Sequence, residues 1–289
     1  MPPAPPEILY AADCTVKSVN IHINGICNYR CGFCFARDLI HTTMTPEQWG
    51  PVFRALKECG IEKINFAGGE PAMHPHFLEL CSLAKEFGFI VSVVTNGSLI
   101  TPSLIKKMKG VVDWIGLSID SPFNDVEREL GRQCNCLDHI ANVIRVAEMA
   151  HCAGIKVKLN ITVVKQSWKS DFADIIKSID PERVKVFQVV KIEGQNEQLF
   201  DRFSVMPEQW IDFKTRHECI VLSNGEKIVF EGGDAMIDSY LMIDPRGRIM
   251  RNSNNKQTYV DFEQILGGIE EVIDERKYVD RGALYDWSG

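Results

Sequence analysis

The sequence predicts an α/β fold centred on a parallel sheet or partial barrel of six β/α steps. Three observations carry that reading. Short β-rich runs alternate with helical patterns from Ser18 to Lys191 in a steady rhythm. The segments between successive runs are helix-length, as a parallel return requires, whereas an antiparallel hairpin needs only a tight turn. Chemically unusual residues follow the strand ends, which is where parallel α/β folds bind their ligands.

Taken in order, a strand at 18–23 leads to a helix at 45–58, with Thr45 as N-cap, Pro46 in the first position and Gln48 completing a capping box. Strand 63–66, helix 76–86, strand 90–95, helix 102–108 and strand 113–119 follow. A longer amphipathic helix at 137–152, strand 156–163, helix 170–178 and strand 183–191 complete the six steps. After Glu193-Gly194-Gln195-Asn196 the rhythm breaks into a helix at 207–217, a glycine-rich turn at 231–233 and a strand at 239–243. Pro-Glu-Gln-Trp occurs at both 46–49 and 207–210, but four residues at a helix start are weak evidence of duplication. The expected organisation is a flexible proline-rich lead at 1–15, a barrel at 16–196 and an extension at 197–289 that closes the active site.

A length of 289 residues fits two small domains or one large α/β barrel. With 45% hydrophobic and 25% charged residues, the chain is not of disordered, collagen-like or coiled-coil type. Its net charge of -7 argues against non-specific nucleic-acid binding and against attachment to an anionic membrane. No apolar run approaches the roughly 18 residues of a membrane span, and Met1-Pro2-Pro3-Ala4-Pro5-Pro6 lacks the regions of a secretory leader. Ten cysteines in a chain able to build a core read as reduced thiols of a cytoplasmic protein, not as a disulfide framework.

Three of those thiols fall within one loop, Cys27-Asn28-Tyr29-Arg30-Cys31-Gly32-Phe33-Cys34. Such a loop can ligate three irons of a cubane 4Fe-4S cluster and leave the fourth iron open. A zinc site is the alternative; it needs a fourth donor such as Cys14, His22 or His41, and structural zinc loops usually come as two separated pairs. Cys59, Cys81, Cys152 and Cys219 fall in helical segments where a small buried thiol is ordinary, and Cys134-Asn135-Cys136 reads as incidental. The second strand ends in Ala67-Gly68-Gly69-Glu70-Pro71, where two glycines allow close backbone approach to a ligand and Glu70 can receive an ammonium group. The third ends in Thr95-Asn96-Gly97-Ser98 and the fourth in Ser118-Ile119-Asp120-Ser121. Lys158 on the fifth strand, with Arg183 and Lys185 on one face of the sixth, supplies cations that pair with phosphate by charge-assisted hydrogen bonds. There is no P-loop.

The cysteine spacing after the first strand, with Gly68-Gly69-Glu70-Pro71 after the second, resembles the radical S-adenosylmethionine superfamily. Within it the chain is similar to the viperin-like enzymes, over about Ser18 to Trp287. Val19-Asn20-Ile21-His22, Lys63-Ile64-Asn65-Phe66, Val184-Lys185-Val186-Phe187-Gln188, Ile192-Glu193-Gly194-Gln195-Asn196 and Asp238-Ser239-Tyr240-Leu241 carry that likeness.

The resemblance implies a partial (β/α)6 barrel with a C-terminal extension. It implies that Cys27, Cys31 and Cys34 hold a 4Fe-4S cluster whose open iron is chelated by S-adenosyl-L-methionine. Gly68, Gly69, Glu70, Thr95, Asn96, Ser98, Ser118, Arg132 and Asn160 would surround that cofactor. Asn20, Lys158, Arg183 and Lys185 would contact the triphosphate of CTP or UTP, with Tyr240 beside the ribose as proton donor or relay. The implied reaction is dehydration to a 3′-deoxy-3′,4′-didehydro nucleotide, an antiviral chain terminator, driven by an external electron donor. A monomer with no membrane and no nucleic-acid partner is expected, since the proline-rich start lacks the amphipathic helix of vertebrate members. The run Arg251-Asn252-Ser253-Asn254-Asn255-Lys256 departs from the family's usual Asn-Cys-Thr-Gly, which bears on base preference. The competing readings are a radical S-adenosylmethionine enzyme acting on another small molecule or peptide, and a non-catalytic zinc-binding protein.

Overall fold

The computed structural model describes residues 15–132, 138–262, 269 and 272–287. The proline-rich lead, Cys14 and the Cys134-Asn135-Cys136 pair lie outside them. Ten strands form one sheet in the order β10-β9-β8-β1-β2-β3-β4-β5-β6-β7. The first six are β1 (Ser18–His22), β2 (Lys63–Ala67), β3 (Ile90–Thr95), β4 (Trp114–Ser118), β5 (Lys156–Val163) and β6 (Arg183–Gln188). All neighbours among them pair in parallel. The helices between them are α1 (Pro46–Glu58), α2 (Phe77–Glu86), α3 (Pro102–Met108), α4 (Asn124–Glu129), α5 (His139–Ala153) and α6 (Ala173–Ile179). The expected β/α alternation therefore stands, with α4 an added helix that its six polar-rich residues gave no apolar stripe to announce.

Beyond β6 come α7 (Phe200–Phe203), α8 (Pro207–His217), β7 (Val229–Glu231), α9 (Gly233–Met236), β8 (Met242–Ile243), β9 (Ile249–Ser253), β10 (Lys256–Val260) and α10 (Glu275–Asp280). The glycine-rich turn is thus preceded by a strand, β7, that adds in parallel to β6, while β8 adds in parallel to β1. The two Pro-Glu-Gln-Trp copies have a common local cause. Gln48 accepts from the Thr45 N–H and Gln209 from the Met206 N–H, each at 2.9 Å, so the repeat is a helix-start device.

Side-chain parity along the strands divides the molecule. Val19, Ile21, Ile64, Phe66, Val91, Val93, Ile115, Leu117, Val157, Leu159, Val184 and Val186 belong to the apolar core shared with the helices. The alternate residues point the other way, onto a cavity of about 350 Å³; Asn20, Asn65, Ser92, Ser118, Lys158, Asn160 and Lys185 are among them. A packed barrel would fill that lumen with branched apolar side chains. Here the inward strand positions carry mainly polar side chains around an open cavity, so the interior is built to hold a ligand.

The sheet does not close by ladder pairing. Its parallel flanks, β8 and β7, are instead joined when Tyr240, just ahead of β8, donates its hydroxyl proton to the Glu231 carboxylate at the end of β7. The opposite mouth, at the N-terminal ends of the strands, is stopped by residues 282–287. Arg183 donates to the Gly282 carbonyl at 2.6 Å, Lys63 to the Tyr285 hydroxyl at 2.6 Å and the Trp114 indole to the Trp287 carbonyl at 3.2 Å.

Candidate active site

The cysteine loop leaves β1 and lies across the C-terminal ends of the strands. Backbone packing on both sides fixes it. The Gly69 and Glu70 N–H groups donate to the Asn24 and Ile26 carbonyls at 2.8 and 2.7 Å, and Arg30 and Gly32 donate to Gly131 and Leu130 at 3.0 and 3.1 Å. A Cβ on Gly68 would sit 2.5 Å from the Asn24 carbonyl oxygen, one on Gly69 2.1 Å from that of Ile26, and one on Gly131 2.3 Å from that of Arg30. The close approach that the two glycines after β2 permit in this structure is therefore to the chain's own cysteine loop. Gly69→Ala is expected to cost at least about 1–3 kcal/mol through this overlap. A thermal melt checks it, and a wild-type melting temperature would contradict the packing described.

Glu70 is fully buried and serves as the knot between strand ends. Its carboxylate accepts from Thr95 Oγ1 at 2.7 Å, the Asn96 N–H at 2.8 Å and the Ala72 N–H at 3.2 Å. A carboxylate offers about four lone-pair sites, so room for one further donor remains. Asn96 reaches Asn28 Oδ1 at 2.9 Å, and Asn28 donates to Ser98 Oγ at 2.8 Å. Ser98 thus braces the cysteine loop and, unlike Thr95 and Asn96, does not line the cavity. His139, which drew no attention in the sequence, makes a second brace: it bonds the Ser118 carbonyl through Nε2 at 3.0 Å and the Tyr29 hydroxyl through Nδ1 at 3.2 Å. Donation to Ser118 leaves Nδ1 as acceptor, and burial lowers its pKa to about 3, so the ring is neutral.

Cys27, Cys31 and Cys34 all line the cavity and are free thiols. Burial pushes Cys27 up to about 11 and Cys31 up to about 12, and raises Cys34 as well. A cationic partner is what would hold them as thiolates. Among the described residues, no three His, Cys, Asp or Glu side chains gather as ligands of a single ion. A single zinc needs its donors about 2.0–2.3 Å from one point, a gathering that the described residues do not make, whereas a cubane cluster takes one thiolate on each of three irons. The three thiols and the loop's backbone fit a cubane cluster. Beside them Arg132 is held by Asp120, with Nε to Oδ2 at 2.6 Å, and lies 3.4 Å from Glu127. Glu127 is pushed up to about 8 by burial and by Asp120. Asn160 also lines the cavity, and its buried Oδ1 has no hydrogen-bond partner among the described residues, an acceptor left for a ligand.

Deeper in the lumen the charge is positive. Lys63, Lys158, Lys185 and Arg281 line the cavity. Burial drives Lys158 well below the ordinary lysine range, reinforced by Lys185 and Lys63, and it forms no hydrogen bond or ion pair among the described residues. Lys63 is lowered for the same reason, and its ammonium lies 4.7 Å from the Tyr285 ring centroid and 5.0 Å from that of Trp114. Lys185 pairs with Glu231. Arg183 departs from its neighbours: it is committed to the Gly282 carbonyl, stacks at 3.8 Å on Tyr285 and does not line the cavity. Asn20 accepts from Asn65 at 2.7 Å and faces the same space. Tyr240 lines it too, its phenol held well above the ordinary range by burial and by Glu231. Sequence reasoning missed Lys63, Glu231, Arg281 and Tyr285. Lys63 opens a strand whose following residues look like an ordinary apolar run, and the others lie where the β/α period gives no register.

Residues 21–179 match the radical SAM superfamily. The S-adenosylmethionine-dependent nucleotide dehydratase of a Thermoplasmatales archaeon is 46% identical over 94% of this chain and 96% of that protein. The one named RSAD2 in Danio rerio is 33% identical over 95% of this chain and 79% of its own length, and that of Flammeovirga pacifica is 31% identical over 94% and 96%. Among solved structures, anSMEcpe with bound AdoMet superposes with a TM-score of 0.67 at 18% identity, covering 90% of this chain and 83% of that one. Streptococcus suis SuiB bound to S-adenosylmethionine gives 0.64 at 18%, covering 92% and 68%. The fold, the cysteine loop and these identities together place the chain in the radical SAM superfamily, among the viperin-type S-adenosylmethionine-dependent nucleotide dehydratases.

Proposed function

We propose that the protein dehydrates a pyrimidine ribonucleoside triphosphate, CTP or UTP, to its 3′-deoxy-3′,4′-didehydro form. The observation that carries this reading is one cavity with the cysteine loop at one end and buried, under-compensated lysines at the other. Lys158 is half-buried on the lumen wall with no ion-pair partner among the described residues; an ammonium drawn from bulk water without a partner is costly, so the lumen is organised for an anion brought in from outside. S-adenosylmethionine on a 4Fe-4S cluster held by Cys27, Cys31 and Cys34 supplies, on reduction by an external electron donor, a radical able to remove a hydrogen atom. Gly68, Gly69, Glu70, Thr95, Asn96, Ser118, Arg132 and Asn160 are proposed to seat that cofactor, with Ser98 bracing the loop.

Lys158, Lys185 and Asn20, joined by Lys63, are proposed to fix the triphosphate, with Arg183 acting from behind through Tyr285. The nucleotide would lose its 4′-hydrogen atom, its 3′-hydroxyl would leave as water on taking a proton, and one further electron from the donor would complete the double bond. Tyr240 is the proposed source or relay of that proton, since its phenol stays protonated through the physiological range. Residues 197–289 are proposed to close the site, excluding water from both mouths. No described helix is long and apolar enough to cross a membrane, and a monomer working in the reducing cytoplasm, with no membrane or nucleic-acid partner, is proposed.

The phosphate assignment has a pH signature. Lys185 is pushed down to about 8, chiefly by burial. Its cation is the binding form, so nucleotide affinity should fall as pH rises through that value, and binding should take up protons as phosphate restores the charge. Calorimetry in two buffers of different ionisation enthalpy measures this. Proton release, or an affinity flat from pH 7 to 9, would remove Lys185 from the phosphate set. The reading itself is tested by incubating reduced, reconstituted enzyme with S-adenosylmethionine and each nucleotide.

A further inference from the structure

Glu231 is a carboxylate that touches three groups of the cavity wall without lining the cavity itself. It is fully buried at the end of β7. Its Oε1 pairs with Lys185 of β6 and faces the Arg281 guanidinium at 3.9 Å, while its Oε2 accepts the Tyr240 hydroxyl proton. Arg281, just beyond α10, stacks 3.6 Å from the centre of the Tyr240 ring and donates from Nε to the Ser239 carbonyl at 2.9 Å. Lys185, Tyr240 and Arg281 all line the cavity. Burying a carboxylate so deeply is expensive, and an apolar pair of similar volume would often hold two strands together as well or better. A packing role alone therefore does not account for the ion.

We propose that Glu231 is a positioning residue that ties the phosphate-binding end of the cavity to its proton-donating end, holding the Lys185 ammonium and the Tyr240 hydroxyl on the two oxygens of one carboxylate. This rests on the nucleotide reading and deepens it. Phosphate drawn to Lys185 competes with Glu231 for the same ammonium. Glu231 then leans on its remaining partners, Arg281 and Tyr240, so occupancy of the phosphate site tightens the seat of the phenol. The charged and titratable groups facing Lys185 are Glu231, Arg281, Tyr240 and Arg183, with Lys158 of β5 and Lys63 of β2 alongside. Those facing Glu231 are Lys185, Arg281 and Tyr240, and they keep its carboxyl below the usual range despite burial.

Glu231→Gln keeps the shape and removes the charge. In calorimetric titrations of the anaerobically reconstituted full chain, with S-adenosylmethionine present, against CTP and UTP, the variant should lose affinity on the order of tenfold at pH 8, because Lys185 loses its neutralising partner and sheds its proton more easily. Near pH 6.5, where Lys185 is charged in both proteins, the affinities should agree within a few-fold. The midpoint of the affinity profile should therefore move to lower pH. Ultraviolet difference titration, with Tyr240→Phe as the subtraction, should show the Tyr240 phenol ionising at lower pH in the variant. A variant that binds with the wild-type midpoint and titrates its phenol as wild type does overturns the proposal and leaves the nucleotide reading standing. Wild-type protein that binds neither nucleotide overturns both. Glu231→Asp guards against a failure to fold: it should keep the wild-type pH midpoint but turn over more slowly at similar KM, and wild-type turnover in that variant also overturns the proposal.

Discussion

Cys27→Ser, Cys31→Ser and Cys34→Ser are each expected to abolish turnover and to strip the purified protein of iron and acid-labile sulfide. The three thiols are the donors that face the cavity from one loop, and a serine hydroxyl does not replace a thiolate on iron. The loop's shape should survive, because backbone bonds to the segments around Gly69 and Gly131 hold it rather than the sulfurs. The variants should therefore fold and melt close to wild type while lacking the visible absorption of a cluster. Cys59 and Cys81 are buried as expected, but Cys152 and Cys219 are exposed, Cys219 lying just past the end of α8; Cys152→Ser and Cys219→Ser should keep full iron content and activity. A Cys31→Ser protein with wild-type iron, sulfide and 5′-deoxyadenosine formation would contradict the assignment.

Lys158→Met should move affinity and stability in opposite directions. Removing a cation that meets phosphate costs roughly 1.5–3 kcal/mol of binding, or about 10- to 100-fold in Kd. Yet the same cation is half-buried in the lumen with no ion-pair partner among the described residues, so a methionine of similar length should relieve the folded state. A gain of about 1 kcal/mol would raise the melting temperature by roughly 2–4 °C. The pH dependence has a definite sign. A lysine whose folded pKa lies below its unfolded value binds fewer protons when folded, so its penalty is complete below the folded pKa and fades as pH rises toward the unfolded one. The stabilisation by Lys158→Met should accordingly shrink steadily as pH rises toward the ordinary lysine range. Scanning calorimetry with and without nucleotide reads both effects. A lower melting temperature would mean that Lys158 is already paired in the free protein.

The sequence made the parallel scaffold legible because its signals are local. Strands β3 and β5 and helices α3 and α8 lie where the pattern predicts, since each is a single apolar run or stripe between turn residues. Of the strand predicted at 239–243 only its last two residues form β8, where they pair with β1, while β7, β9 and β10 had no counterpart among the strands the sequence predicts; β7 is three residues long, carries no period, and becomes a strand only by pairing with β6. The cysteine loop was legible for a similar reason, its donors being close in the chain. The wall opposite it was half legible. Lys158 and Lys185 stood out as lysines within apolar strands, but Glu231, Arg281 and Tyr285 come together only when residues 229–287 fold back against both edges and the lower mouth. Ser98 and Arg183 show the converse, residues correctly placed at strand ends whose side chains brace neighbours instead of facing the cavity.

The central claim is that the cysteine loop and the buried lysines serve one nucleotide. Anaerobically reconstituted, reduced enzyme is incubated with S-adenosylmethionine and ATP, GTP, CTP or UTP in turn, and both 5′-deoxyadenosine and nucleotide mass are measured. The expected result is that a pyrimidine triphosphate raises 5′-deoxyadenosine well above the uncoupled background and is itself converted, mole for mole, to a product lighter by one water. If no triphosphate raises 5′-deoxyadenosine and none loses water, the lysine-lined end of the cavity does not serve the chemistry of the cysteine loop.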